Sequence, residues 1–384
     1  MIDSHTVCSA LQSDELPLIP IMFFNRKKKP KAEKSKADNT DFSSGVASID
    51  TWDQFLLDNH PETGFMQSGW WAHYMNQRGW AHFGAILRDG DEILGGARVF
   101  RQPFSETFAF YYLPEAPVLP ADASDAEQVF DATLQYLETK RKRESSIISH
   151  SRLELRWPTL PGHVKNFRTG QNWLEPRNTL QVDLTLSEAE ILAQMKPKGR
   201  YNIKLAKRHG VNIVQQTPLD GMAAFEQIHS DTARRQGMRG EESAMLKELA
   251  KILTTENRGV LLFAMLDGEP IAAALLVFFA NRATYLFGGS LDSQRRVMAP
   301  YLLHFEAMLE AQRRGHTCYD FYGTAPPDQP DHAWAGISAF KRKFGGEELA
   351  FVQPIDYVYD EAGYSAYQDY ALGSRLTDSA AITD

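Results

Sequence analysis

The sequence predicts an α/β protein built from two similar units in tandem, each a mixed sheet flanked by helices. Three observations point that way. At 384 residues the chain is long for one domain and suits two. Its hydrophobic fraction of 43% supports soluble cores, and no apolar run approaches the length of a membrane span. Finally, "AILRDGDEILGGARVF" at 85–100 and "AMLDGEPIAAALLVFF" at 264–279 share one pattern: a strand, an Asp-Gly turn, and a strand that begins with small residues. One such hairpin is common. Two of them, each set between helix-patterned segments, indicate duplication.

The elements follow in order. "LPLIPIMFF" precedes "NRKKKPKAEKSK", where seven Lys or Arg between Arg26 and Lys36 meet only Glu33. A signal peptide carries its charge before the apolar run, so this order is the wrong way round, and Met22 is an alternative start. Residues 1–44 read as a polybasic, disordered tail, either solvated or docked on anionic lipid or RNA. The first unit is expected over 45–165. After its hairpin, "TFAFYYL" is a strand, "ASDAEQVFDATLQYLETKRKR" a helix capped near Ser124, and "SRLELRW" a second strand. The second unit is expected over 166–349, with 350–384 packing back on the first. It repeats the order with "ATYLFGGSL", then a helix with Pro300 in its first turn and Gly315 as its stop, then "HTCYDFYG". This order is similar to that of the GNAT acyltransferase fold.

The second unit opens on a helix in which Ser187 and Glu190 form a capping box, with Leu186 and Ile191 placed as a hydrophobic staple. Pro197 interrupts it, and a second stretch resumes to Gly210. Six Lys or Arg lie between Lys196 and Arg208 with no acid among them, although the whole chain carries −8. Arg200, Lys204, Lys207 and Arg208 follow helical spacing and share one stripe. That stripe is either a solvated face or a phosphate-binding surface. The acidic remainder argues against a general nucleic-acid coat, and no DNA partner is expected. Two cysteines, Cys8 and Cys318, make no disulfide framework, and no Cys/His spacing suits a metal, so a reducing cytoplasm is the default.

With these segments in place, the chain resembles the Fem family of peptidoglycan-bridge aminoacyltransferases from about Phe65 to Tyr359. "FMQSGWWAHYMNQRGW" is similar to the family's Gln-Ser-x-x-Trp segment. "EPRNTLQVDLTLSEAEILAQMKPKGRYNIKLAKRHGV" is similar to its entry into the second domain. "SDTARRQGM", "YLFGGS", "APYLLHFEAM", "YDFYG" and "ISAFKRKFGGE" follow in the family's order. The resemblance implies two GNAT-like domains and no cofactor. It implies transfer of an amino acid from aminoacyl-tRNA to the side-chain amine of the third stem-peptide residue of a UDP- or lipid-linked muropeptide. Both substrates are polyanions, which would give the basic stripe a purpose. A lipid-linked acceptor would bring the protein to the anionic inner leaflet.

Lys341 in "SAFKRKFGG" is the first candidate for catalysis, because a fixed cation stabilises the oxyanion that forms when an amine attacks an ester. The resemblance puts Phe340 and Lys341 at the substrate channel, with Arg342 and Lys343 as neighbours for the tRNA end. It puts Thr232, Arg234 and Arg235 on the nucleotide diphosphate, where a guanidinium fork holds phosphate well. Tyr285 either packs on the acceptor peptide or belongs to the core, and Gly288 and Gly289 permit close backbone approach. Asp320 lies in an otherwise apolar strand, so it must be paired or functional, and it is expected either to orient the amine or to serve structure.

Three positions depart from the family pattern. His73 and Met75 replace a Lys, Glu115 stands in "PEAP" where the family has Arg, and Trp157 replaces an acid. A CoA-dependent N-acyltransferase is the rival reading, but "SQRRVMAPYLL" lacks the glycines that cradle a pyrophosphate. A non-catalytic RNA or wall-precursor binder is a third.

Overall fold

The computed structural model describes residues 39–41, 46–170, 174–236 and 243–380. In chain order the elements are β1 (Asn39–Asp41), α1 (Val46–Asn59), α2 (Gly69–Gln77), β2 (Ala81–Asp89), β3 (Glu92–Pro103) and β4 (Phe108–Pro114). Next come α3 (Ala123–Arg141), β5 (Ile147–Glu154), β6 (Arg168–Thr169), β7 (Asn178–Asp183), α4 (Glu188–Gln194) and α5 (Pro197–Arg208). They are followed by β8 (Asn212–Gln216), α6 (Pro218–Gln236), α7 (Ser243–Thr255), β9 (Gly259–Leu266), β10 (Glu269–Phe279) and β11 (Arg282–Ser290). The chain continues through α8 (Ala299–Arg313), β12 (Cys318–Asp320), α9 (Ala335–Lys341), β13 (Glu347–Ala350), β14 (Ile355–Val358) and α10 (Glu361–Ala380).

The strands form two seven-stranded sheets, ordered β1-β2-β3-β4-β5-β14-β6 and β13-β7-β12-β11-β10-β9-β8. Each sheet is antiparallel except for one parallel pair, β4 with β5 and β11 with β12. The crossover between those pairs is α3 in the first unit and α8 in the second, since parallel neighbours need a long connection. The duplicated hairpins close differently. Asp267 and Gly268 form the second loop, both with φ above zero, at 51° and 87°. In the first, Asp89 pairs with Glu92, so the loop is Gly90–Asp91 and only Gly90 takes positive φ.

Burial explains the strand patterns. From Ile271 to Phe279 every residue of β10 is buried, as a central strand covered on both faces requires. The capping box at Ser187 forms with both of its hydrogen bonds, and Pro197 begins α5 at a position where no N–H is needed. The cap of α3 is Asp122 rather than Ser124: its carboxylate accepts from the N–H groups of Ser124 and Asp125.

Two expectations about boundaries need adjustment. β6 lies beyond residue 165 yet joins the first sheet, because Thr169 pairs with Ile355 of β14. Residues 1–38 and 42–44 of the expected tail lie outside the described residues, whereas Asn39–Asp41 pair with Ile86–Arg88 of β2. The units share one apolar cluster, in which Trp52, Phe65 and Trp70 of the first unit join Phe225, Leu249 and Phe263 of the second. None of the helices among the described residues is long and apolar enough to cross a membrane.

Candidate active site

β5 and β12 hold the same place in their sheets, each following its crossover helix. Each ends on a buried carboxylate, Glu154 or Asp320, and the residue two positions on, Arg156 or Tyr322, is buried as well. Asp320 accepts from Thr179 Oγ1 at 2.5 Å, Gln181 Nε2 at 2.9 Å and the Tyr322 N–H at 2.8 Å, with Arg282 Nη1 at 3.4 Å. Glu154 accepts from the N–H groups of Leu174 and Glu175 and from the Tyr112 hydroxyl, all within 3.0 Å. These donors satisfy two charges that would otherwise be costly to bury.

The strand ends meet at the seam between the units. Arg282 of β11 donates to the Glu62 carbonyl of the first unit. Glu115, directly after β4, is 1% exposed, and its nearest cation is the Arg156 guanidinium at 3.7 Å. Arg156 itself donates to the Pro176 carbonyl at 3.0 Å and lies over the Phe351 ring. Burial pushes the Glu115 carboxyl up to about 7, against the pull of Arg156 and Arg282. Glu175 is raised as well, by burial and then by Glu154. Glu115 and Tyr322 both adopt left-handed backbone, with φ of 57° and 58°. Such strain in non-glycine residues concentrates at functional sites.

Lys341, the last residue of α9, is 6% exposed rather than part of an exposed basic loop. Its Nζ donates to the carbonyls of Tyr322 and Gly323, each at 2.8 Å, and lies 5.8 Å from the centre of the Tyr285 ring. An ammonium has three N–H donors, so one is left for a ligand. Burial lowers this lysine to about 7, with Asp320 pulling the other way. Phe340 faces the core, its ring 5.0 Å from Tyr301 and 5.2 Å from Phe344, and so anchors α9. Asp320 is occupied by its four donors, which favours the structural role over direct contact with an incoming amine. Tyr285 is half-buried against His304, with ring centroids 4.5 Å apart.

The other candidates divide into two groups. Thr232 and Arg235 of α6 tie down the end of β11: the Ser290 N–H donates to Thr232 Oγ1 at 3.0 Å, and Arg235 Nη1 donates to the Ser290 carbonyl at 2.9 Å. A Cβ on Gly289 would come within 2.4 Å of Thr232 Oγ1, so glycine is needed for this approach, and one on Gly288 would meet the Tyr285 hydroxyl. Arg234 points outward, paired with Asp231.

The basic residues gather around α5. Lys204, Lys207 and Arg208 are exposed, Lys207 is 3.5 Å from Glu306, and Arg208 lies over the exposed Tyr201 ring. Arg200 leaves the expected stripe, because its guanidinium turns back to the carbonyls of Ala193 and Met195 at the end of α4. The Lys196 N–H donates to the Lys343 carbonyl, and Lys343 is lowered by burial and then by Lys198 and Lys196, so these lysines converge. Arg342 is paired with Glu348 and donates to the Ala325 carbonyl. Of the three departures, His73 is exposed beside Glu256 at 4.0 Å, Trp157 is half-buried near Phe130, and Glu115 is at the seam. Arg156, Glu175, Arg282 and Tyr322 do not stand out in the sequence. The signal for two of them is the strand-end correspondence of "LELRW" with "YDFYG".

The FemAB family model matches residues 163–269 and 263–369. Lipid II:glycine glycyltransferase of Staphylococcus epidermidis (strain RP62A) is 20% identical over 383 residues, covering 80% of this chain and 91% of the relative. The protein of the same name from Staphylococcus aureus (strain USA300) is 19% identical over 399 residues, covering 84% and 94%. Among solved structures, that of FemX superposes with a TM-score of 0.76 at 17% identity, over 85% of this chain and 99% of FemX. The two chains share one fold. A conserved protein of unknown function from Bacteroides thetaiotaomicron gives a TM-score of 0.51 at 11% identity, over 83% and 99%.

Proposed function

The chain belongs to the FemAB family, and from that premise we propose that it is an aminoacyltransferase that builds the interpeptide bridge of peptidoglycan. The reading takes an amino acid from aminoacyl-tRNA and joins it to the side-chain amine of the third stem-peptide residue. The acceptor is lipid-linked, as the name of the staphylococcal relatives suggests for theirs. Lys341 carries the reading: a buried lysine at the seam, fixed by two carbonyls and with an N–H to spare, suits the oxyanion of acyl transfer. In the attack the neutral amine's nitrogen bonds to the ester carbonyl carbon, the bond from that carbon to the tRNA ribose oxygen breaks, and the proton the amine gives up ends on the ribose oxygen as its hydroxyl.

Thr232 and Arg235, with Gly288, Gly289 and Tyr285, form the assigned acceptor side. Lys204, Lys207, Arg208 and Lys343, joined by Lys196 and Lys198, form the assigned face for tRNA phosphates. Arg342, Arg234 and Arg200 are held by protein partners and take supporting places. On this reading, work on a lipid-linked acceptor brings the protein to the inner membrane face. The test is an assay that offers a set of charged tRNAs with UDP- and lipid-linked muropeptides, read by mass spectrometry. A muropeptide heavier by one amino-acid residue is expected, and no mass gain with any pair would overturn the reading.

A further inference from the structure

Lys341 is held by two backbone carbonyls, so its position depends on whatever fixes the Tyr322–Gly323 turn. Asp320 stands at the root of that turn. Its Oδ1 accepts the Tyr322 N–H at 2.8 Å, the bond from a side chain to the backbone two residues on that closes an Asx turn. Tyr322 takes φ of 58°, a left-handed conformation that is costly for an aromatic residue and persists only where neighbours enforce it. The carboxylate is in turn fixed by β7, where Thr179 and Gln181 alternate onto one face. Thr179 Oγ1 donates to the same Oδ1 at 2.5 Å, and Gln181 Nε2 donates to Oδ2 at 2.9 Å. Arg282 Nη1 reaches Oδ2 at 3.4 Å, and the same guanidinium donates to the Glu62 carbonyl, which joins the first unit to the turn. On the far side the turn is enclosed as well: a Cβ on Gly323 would come within 2.9 Å of the Trp334 ring.

We infer that Asp320 is a positioning residue for acyl transfer, acting on Lys341 through the backbone of Tyr322 rather than by contact with a substrate. The inference deepens the aminoacyltransferase reading and rests on it. The two carboxylate oxygens divide the work: Oδ1 fixes the turn, and Oδ2 meets Gln181 and Arg282. The carboxylate also acts by charge. Burial lowers Lys341 to about 7, and within that balance Asp320 favours the ammonium. Two further titratable groups face Lys341, His304 of α8 and Tyr285 of β11. Burial lowers His304 to about 3 and raises Tyr285, so both are neutral near pH 7. Across the seam, Glu115 is raised to about 7 by burial and in lesser part by Asp320, against the pull of Arg156 and Arg282.

The test is the pH dependence of kcat/KM for the full chain in the charged-tRNA assay, with kcat and KM measured separately. The attacking amine must be neutral, so log kcat/KM climbs with pH until Lys341 loses its proton and bends there, near 7 in the unmodified protein. Asp320→Asn keeps an oxygen for Thr179 and the Tyr322 N–H but loses the charge, and should move the bend about one unit lower. Arg282→Met removes the guanidinium that offsets Asp320 and should move the bend higher, which keeps the test decisive if Asp320→Asn fails to fold. Asp320→Ala also frees the Tyr322 N–H. It should lower kcat by roughly ten- to a hundredfold beyond Asp320→Asn while changing KM for either substrate by about twofold or less. Glu115→Gln removes the other group that titrates near 7 and should leave the bend in place. A bend that vanishes in Glu115→Gln, a bend unmoved in the Asp320 and Arg282 variants that fold, or a folded Asp320→Ala as fast as Asp320→Asn overturns the positioning role and leaves the enzymatic reading standing. No turnover by the unmodified protein with any substrate pair overturns both.

Discussion

Glu115 keeps its proton to about pH 7 because burial penalises the anion more than Arg156 and Arg282 favour it. In the unfolded chain the same carboxyl titrates near 4.5. Between these values the folded state holds a proton that the unfolded state has lost, so this residue's contribution falls as pH rises from about 4.5 to 7. Glu115→Gln stays neutral throughout and is expected to be more stable than the unmodified protein at pH 8, by at most about 3 kcal/mol, with no gain at pH 4. Urea unfolding at the two pH values checks this, and a variant less stable at pH 8 would show that the anion is well solvated. Lys341→Met is expected to lower turnover by about 100- to 1,000-fold, the usual loss for one oxyanion donor. The same change strips the donor from two buried carbonyls, so turnover must be measured where unfolding curves show the variant intact. The sequence marked Asp320 and Lys341 because a charge in an apolar strand and a cation near a motif are visible in one dimension. It showed Glu115 only as a departure, since burial and the approach of Arg156 depend on two sheets meeting.

Helix α5 shows how far spacing can be read at the scale of an element. Helical periodicity put Arg200, Lys204, Lys207 and Arg208 on one stripe, but periodicity cannot see the unsatisfied carbonyls at the end of α4 that recruit Arg200. Replacing Lys204, Lys207 and Arg208 with Gln should weaken tRNA binding and flatten its salt dependence, by about 0.7–0.9 in log–log slope for each phosphate no longer neutralised. Arg200→Gln should leave that slope unchanged. Filter binding across a salt series separates the two, and an unchanged slope in the triple variant would reduce the stripe to a solvated face. Long or punctuated elements were legible: the two hairpins, the capping box at Ser187 and the crossover helices. β6, β13 and β14, at two to four residues each, carry no periodicity of their own and are defined by the strands they pair with.

Across the whole molecule, the chain crosses the seam twice. After the second sheet is complete, β14 returns to lie between β5 and β6. It brings Asp356, which is fully buried and accepts from Arg152 Nε at 2.8 Å and Nη2 at 2.6 Å, while Tyr364 and Tyr367 of α10 close the group. Asp356→Ala removes the carboxylate that takes two hydrogen bonds from the buried Arg152 guanidinium and is expected to cost about 3–5 kcal/mol in a chemical-denaturation experiment. Pairing it with Arg152→Met should recover much of the loss, and an additive double variant would contradict that. At the opposite end, cutting after residue 38 removes the polybasic run but keeps β1. That deletion should reduce binding to anionic vesicles and activity on vesicle-borne acceptor while sparing activity on a soluble UDP-linked acceptor, because screened attraction acts only within about 8 Å of the surface. Equal vesicle binding by both proteins would make the run inert.

The return of β14 also bears on how the protein is made. Synthesis proceeds from the N-terminus, and domains ordinarily fold in the order they emerge. Here the first sheet waits for a strand encoded after the entire second unit, so the half that emerges first cannot finish first. Until then the Asp356 carboxylate is missing from beside Arg152, and the edge of β5 that β14 will cover is open to pairing with other chains. The same dependence means that the first unit, cut from the chain ahead of β14, lacks an internal strand of its own sheet.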